Sequence, residues 1–125
     1  MLGVVITHDF KMYKKDFENP LYESVEPVLD GYMEIVRPVS LPEPFRMIVN
    51  EEGILKGLPL NAVGTVWYEG AIVGNIIVFK QGFTDEGPDI LGLTEEECLK
   101  IIGMVSEMSC GSYHYIEMEE TKCSD

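Results

Sequence analysis

Asn50-Glu51-Glu52-Gly53-Ile54-Leu55-Lys56-Gly57-Leu58-Pro59-Leu60-Asn61 directly follows the apolar stretch Phe45–Val49, and how the chain turns there decides how its strands connect. Upstream, Phe45, Met47 and Val49 alternate with Arg46, Ile48 and Asn50, the period of a half-buried strand. Asn50-Glu51-Glu52-Gly53 suits a type I turn with Gly53 in the left-handed position, closing a three-residue hairpin loop. Ile54–Lys56 is then a short return strand. Gly57 relieves a tight bend, Leu58-Pro59-Leu60 packs as an apolar elbow, and Asn61 caps the next turn.

At the start of the chain, Leu2–Thr7 reads as an opening β-branched strand. His8–Pro20, carrying Lys11, Lys14 and Lys15, reads as a loop. Leu21–Leu29 reads as a short helix with Leu21, Val25 and Val28 on one side and Pro27 near its end. Tyr32–Arg37 alternates as a half-buried strand, and Pro38, Pro42 and Pro44 stiffen the link to Phe45. Ile76-Ile77-Val78-Phe79 is a continuous apolar run, the mark of a central strand buried on both faces. Gln81–Gly92, rich in Gly, Asp and Pro, reads as a long loop.

The last helix has the clearest local signal. Thr94 and Glu97 form a capping box and Leu93 staples onto Cys98. Glu95, Glu96 and Glu97 sit where the helix dipole favours anions. Cys98, Ile101, Ile102 and Val105 make one apolar stripe, with Gly103 marking close packing on the sheet. The expected fold is α+β: a mostly antiparallel, four- to five-stranded sheet with the C-terminal helix packed on one face. Residues 1–112 form the single domain and residues 113–125 an acidic tail.

A chain of 125 residues is one domain, large enough to bury a core without staples. No apolar run approaches the ~18 residues of a membrane span. Met1–Ile6 lacks the basic start and long apolar core of a signal peptide, so a cytoplasmic protein is expected. The three cysteines suit free thiols in a reducing compartment. A net charge of −13 repels phosphate backbones and argues against direct nucleic-acid binding. The same charge suits attraction to a partner protein with a basic surface, and it also aids solubility.

Asn50, Glu51, Glu52, Gly53, Lys56, Gly57, Leu58, Pro59 and Asn61, followed by Ile72-Val73-Gly74 and an apolar strand, form a pattern that resembles a small family of phages and mobile elements, a domain of unknown function. The resemblance spans roughly residues 30–105. It implies a phage setting in a host bacterial cytoplasm and a fold, with no reaction attached.

Two readings of the Asn50–Asn61 run compete. As a ligand loop, Gly53 and Gly57 expose N–H groups to an anion, Lys56 supplies charge, and Asn50 and Asn61 supply amides. Trp67, between Gly64 and Gly70, then offers a ring on which a base stacks. As architecture, turn chemistry accounts for the same residues, and Trp67 is a core anchor. The phosphate-loop order G-x-x-x-x-G-K-[ST] is missing. His8-Asp9 has no evident nucleophile to serve. Cys98, Cys110, His114 and Cys123 are separated by eleven, three and eight residues, which fits no short-spaced zinc pattern, and Cys98 lies on the core stripe. The acidic runs at Glu95–Glu97 and at Glu117, Glu119 and Glu120 read as helix capping and as a solvated tail. No cofactor, metal or catalytic residue is expected. Three classes remain: a stoichiometric inhibitor of a host defence protein, a small polar-ligand binder that sequesters a nucleotide-like signal, and an enzyme of unrecognised type.

Overall fold

Three apolar runs, at residues 4–6, 47–49 and 76–79, lie side by side at the centre of one sheet. The computed structural model describes residues 1–117. Its elements are β1 Leu2–Ile6, β2 Lys11–Asp16, α1 Leu21–Leu29, β3 Met33–Val36, β4 Phe45–Asn50, α2 Ala62–Tyr68, β5 Ile76–Thr84, β6 Gly87–Leu91, α3 Glu95–Met108 and β7 His114–Tyr115. The strand order is β3-β4-β5-β1-β2-β7, with β6 also paired to β5. Every pairing is antiparallel except β2 with β7. No helix among the described residues is long and apolar enough to cross a membrane.

The architecture is α+β with a mostly antiparallel sheet, and the sheet is larger than the apolar runs suggest. Two strands come from segments that read as loops. In β2 only Met12 is fully buried, while Lys14 and Lys15 are partly covered: Lys14 Nζ pairs with Glu95 at 2.6 Å and Lys15 Nζ lies over the Phe17 ring. All five residues of β1 pair with β2, which gives this polar segment its partner. Within Gln81–Gly92, β5 runs on to Thr84 and turns back as β6, pairing Lys80–Thr84 with Gly87–Leu91.

The C-terminal helix packs on one face as expected, and helices cover both faces. On the first face, Val63 and Trp67 of α2 and Cys98, Ile101 and Val105 of α3 join Val4, Ile6, Met47, Val49, Ile76 and Val78 in one core cluster. On the second, Val25 and Leu29 of α1 join Val5, Ile48, Ile77 and Phe79. Burial on both faces explains the unbroken apolar run of β5. It also corrects the half-buried reading of β4, all six residues of which are buried. Each fully buried aliphatic side chain contributes roughly 1.5–3 kcal/mol.

The α3 N-terminus is tied to the sheet. Thr94 Oγ1 accepts from Glu97 N at 3.1 Å, and Glu97 Oε1 accepts from Thr94 N at 2.8 Å, the reciprocal capping box. The same carboxylate oxygen accepts from Lys80 Nζ of β5 at 2.8 Å. Leu93 and Cys98 are both buried in the first core, where burial pushes the Cys98 thiol up to about 11. Gly103 is exposed and has open space where a Cβ would stand, so it makes no close approach to the sheet.

Tyr113 is buried and meets Phe10 edge-to-face at 5.2 Å between ring centroids. It leads into β7 on the outer side of β2, so residues 113–115 belong to the folded body. Ile116 N also donates to Met12 O at 2.8 Å, and residues 118–125 of the expected acidic tail, with Cys123, Glu119 and Glu120, lie outside the described residues.

The Lys80 bond, then the Thr94 N–H, holds the Glu97 carboxyl below its ordinary 4.5. A depressed carboxylate stabilises the fold fully above its unfolded value and loses that contribution as pH falls through the lower folded one. Glu97→Gln should therefore lower stability by about 0.5–1 kcal/mol at pH 7, as for a partly exposed pair. Thermal melts against pH should show the gap to wild type closing below pH 4.5; a gap constant with pH would remove the charge from the account.

Candidate functional site

At Asn50 the chain turns into a series of tight turns and forms no return strand. Gly53 N donates to Asn50 O at 3.3 Å, Lys56 N to Glu52 O at 3.0 Å, and Leu58 N to Gly53 O at 3.1 Å. The reason is topological. Both edges of β4 are already taken, by β3 and β5, so a hairpin partner has no ladder to join.

The glycines exchange roles accordingly. Gly53 is not in the left-handed region; a Cβ there would stand 2.6 Å from Val73 Cγ2, so the demand is for space. Gly57, at φ 70°, is the left-handed residue.

Both asparagines are consumed by the backbone. Asn50 Nδ2 donates to Leu29 O at 2.9 Å and Asp30 O at 3.0 Å, and its Oδ1 accepts from Glu52 N at 2.8 Å. Asn61, with none of its surface exposed, donates from Nδ2 to Ile6 O at 3.0 Å and Gly74 O at 2.8 Å. Its Oδ1 accepts from Gly64 N at 2.9 Å and caps α2, the capping role expected of it. Lys56 Nζ donates to Asp30 O at 2.6 Å. Asp30 is the left-handed C-cap of α1, so this ammonium sits at the negative end of a helix. Trp67 is 2% exposed within the first core, which corrects the stacking reading: its ring is an anchor with no face open to a base.

What opens to solvent beside these residues is a cleft of about 170 Å³ at the β3 edge of the sheet. Val36, Ile54, Leu55 and Tyr68 give it apolar walls, and Glu34, Glu51 and Glu52 give it carboxylates. Of Asn50, Gly53, Lys56, Gly57, Asn61 and Trp67, only Asn50 and Gly53 line it, and no Lys or Arg does. Leu55 is 87% exposed and Ile54 68%. Glu34 and Tyr68 come from segments far from the run in sequence, and only the fold brings them to it. Ile54-Leu55 beside Glu51-Glu52 was the available signal: two large apolar residues in a turn with no return strand to bury them.

The cations are engaged elsewhere. Nine Lys and Arg occur in the chain and Lys122 lies outside the described residues. Of the other eight, Lys11, Lys14, Arg37, Arg46 and Lys80 pair with carboxylates. Lys56 holds a carbonyl, and Lys15 and Lys100 lie over the rings of Phe17 and Phe45. The carboxylates of Glu34, Glu51 and Glu52 have no such partner among the described residues.

Fold and cleft together define a three-layer α+β domain with an acidic, apolar-walled cleft at one sheet edge. The chain belongs to the family described as Domain of unknown function (DUF3846), whose model matches residues 1–106. It matches no curated protein and no solved structure.

Gly53→Ala should destabilise by about 1–3 kcal/mol through overpacking on Val73. Adding Val73→Ala should recover part of that loss, a coupling that a backbone constraint at Gly53 would not produce. Lys56→Ala should cost about 0.5 kcal/mol, the scale of an exposed helix-end charge. Chemical denaturation of the three variants measures both expectations.

Proposed function

We propose that this protein is a non-enzymatic, phage-type accessory protein that inhibits a host defence protein by stoichiometric binding in the bacterial cytoplasm. Its acidic surface covers a basic, nucleic-acid-binding surface of the partner. The observation that carries the reading is the one-sided charge of the surface. Five of the eight described Lys and Arg pair with carboxylates, Lys56 holds a carbonyl and none of the eight lines the cleft, which presents Glu34, Glu51 and Glu52 beside exposed Ile54 and Leu55. Unpaired carboxylates steer a basic partner at a distance, and apolar side chains hold it on contact. The phage and host setting comes from the resemblance in the Asn50–Asn61 run.

A nucleotide-like ligand suits this surface less well. The cation available to it, Lys56, is bonded to the Asp30 carbonyl, and the ionisable groups around the cleft share the ligand's sign.

Immobilised protein incubated with bacterial lysate should retain basic nucleic-acid-binding proteins. The retained partner should be released as salt rises, because attraction is screened beyond about 8 Å at 0.15 M. In a mobility-shift assay, one equivalent of the acidic protein should free DNA or RNA from that partner, and Glu51→Lys/Glu52→Lys should weaken this tenfold or more. Retention indifferent to salt and to charge reversal would sink the electrostatic account.

A further inference from the structure

The cleft stands beside an unpaired strand edge. β3 is the terminal strand of the sheet, bonded on one side to β4 in the register Met33↔Asn50 to Val36↔Met47. Glu51 N donates to Tyr32 O at 2.9 Å, which sets the phase of the antiparallel ladder. Tyr32, Glu34 and Val36 therefore turn their backbone groups toward β4, and Met33 and Ile35 turn theirs outward. Side chains alternate in the same way, so Glu34 and Val36 look onto the cleft face while Ile35, 46% exposed, lies on the opposite face.

We propose that β3 is a docking edge: an extended segment of the basic partner protein adds to the sheet there and pairs with the outward N–H and C=O groups of Met33 and Ile35. This rests on the binding function proposed above and gives it a mode, strand addition with side-chain pockets for specificity. On the cleft face of the added strand, neighbouring side chains are two residues apart. The one opposite Glu34 meets the carboxylates of Glu34, Glu51 and Glu52 and is Lys or Arg. The one opposite Val36 lies against Val36, Ile54, Leu55 and Tyr68 and is apolar. The recognised element is thus a basic and an apolar residue at i and i+2 in an extended segment. Charge selects this occupant over a second copy of the chain. Two copies joined edge to edge would bring six unpaired carboxylates together, and like charges across paired strands are destabilising.

A random twelve-residue peptide library selected on the wild-type protein tests the proposal. Enriched peptides should carry Lys or Arg two positions from an aliphatic or aromatic residue. N-methylation at alternate peptide nitrogens should weaken them tenfold or more in one phase and little in the other, as for a strand bonded along one side. Ile35→Pro removes an outward N–H and leaves the β4 ladder intact, and should weaken binding by a similar factor. The N-methyl series needs no protein variant, so it decides the matter even if Ile35→Pro melts early.

Several results would overturn the docking edge: no enriched peptide, peptides indifferent to N-methylation, or a wild-type dimer in sedimentation that Ile35→Pro dissolves. Peptides that ignore N-methylation but are lost on Glu51→Lys/Glu52→Lys would reject the edge and leave the acidic-surface function standing. Peptides lost on N-methylation but unmoved by charge reversal would instead reject the basic partner.

Discussion

The buried carboxamide of Asn61 holds together the part of the molecule on which the cleft depends. Its three bonds reach the end of β1 at Ile6, the approach to β5 at Gly74 and the first turn of α2 at Gly64. Each of those backbone groups, left buried without a partner, costs about 1–3 kcal/mol. The alternatives to this arrangement are therefore expensive, and α2 starts where it does because of it. Thr65 then closes the loop on the other side, its Oγ1 accepting from Ile72 N at 3.1 Å, so the segment from α2 to β5 is pinned at two points. Tyr68 at the end of α2, and Ala71 to Val73 just beyond, form the far wall of the cleft. That wall is as fixed as the Asn61 amide makes it.

Asn50 does the corresponding work on the near wall. Its amide bridges the C-terminus of α1 to the turn after β4, and Lys56 adds a charge-assisted bond to the same helix end. The two asparagines that bracket the run thus belong to opposite faces of the sheet: Asn50 secures α1 on one and Asn61 secures α2 on the other. Between them the chain is short and makes turn after turn, which pushes Ile54 and Leu55 outward. Their exposure follows from the fixed ends of the loop. Burying them would gain roughly 1.5–3 kcal/mol each, and would mean breaking the several satisfied polar groups at both ends of the loop, each of which costs about 1–3 kcal/mol when left buried without a partner.

How legible this was in the sequence depended on the range of the interactions. The α3 start was readable because a capping box lies within four residues, Thr94 to Glu97. β5 was readable because burial on both faces leaves an unbroken apolar run. β2 was not, since three lysines in six residues hide a strand whose partner, β1, supplies the missing hydrophobic context. Gly53 was misread for a related reason. A glycine after Asn-Glu-Glu reads as a hairpin turn when the strand before it has a free edge, and whether β4 had one depended on where β3 and β5 would lie. The cleft was the least legible feature. Its residues come from β3, the end of β4, the turn, α2 and the segment before β5, and no local pattern announces that they meet.

An edge strand with an exposed isoleucine is ordinarily a liability, one that proteins blunt with lysine, proline, bulges or shortness. β3 is blunted in part: it is four residues long, Glu34 sits within it and Pro38 follows closely. The blunting is of one sign. Glu34, with Glu51 and Glu52 beside it, repels acidic neighbours, other copies of this chain included, and does nothing against a basic one. A strand edge guarded by carboxylates alone rejects most encounters in proportion to their negative charge. That selectivity needs the local cations to be engaged, because one mobile lysine at the cleft would neutralise a glutamate and open the edge to self-pairing. Lys56, the nearest in sequence, is held on the Asp30 carbonyl, and Arg37, which follows β3, is held 2.6 Å from Glu43. The placement of the described positive residues away from the cleft and the exposure of the acidic edge are in this sense linked: on the binding mode proposed above, the first leaves the second free to select a partner by charge.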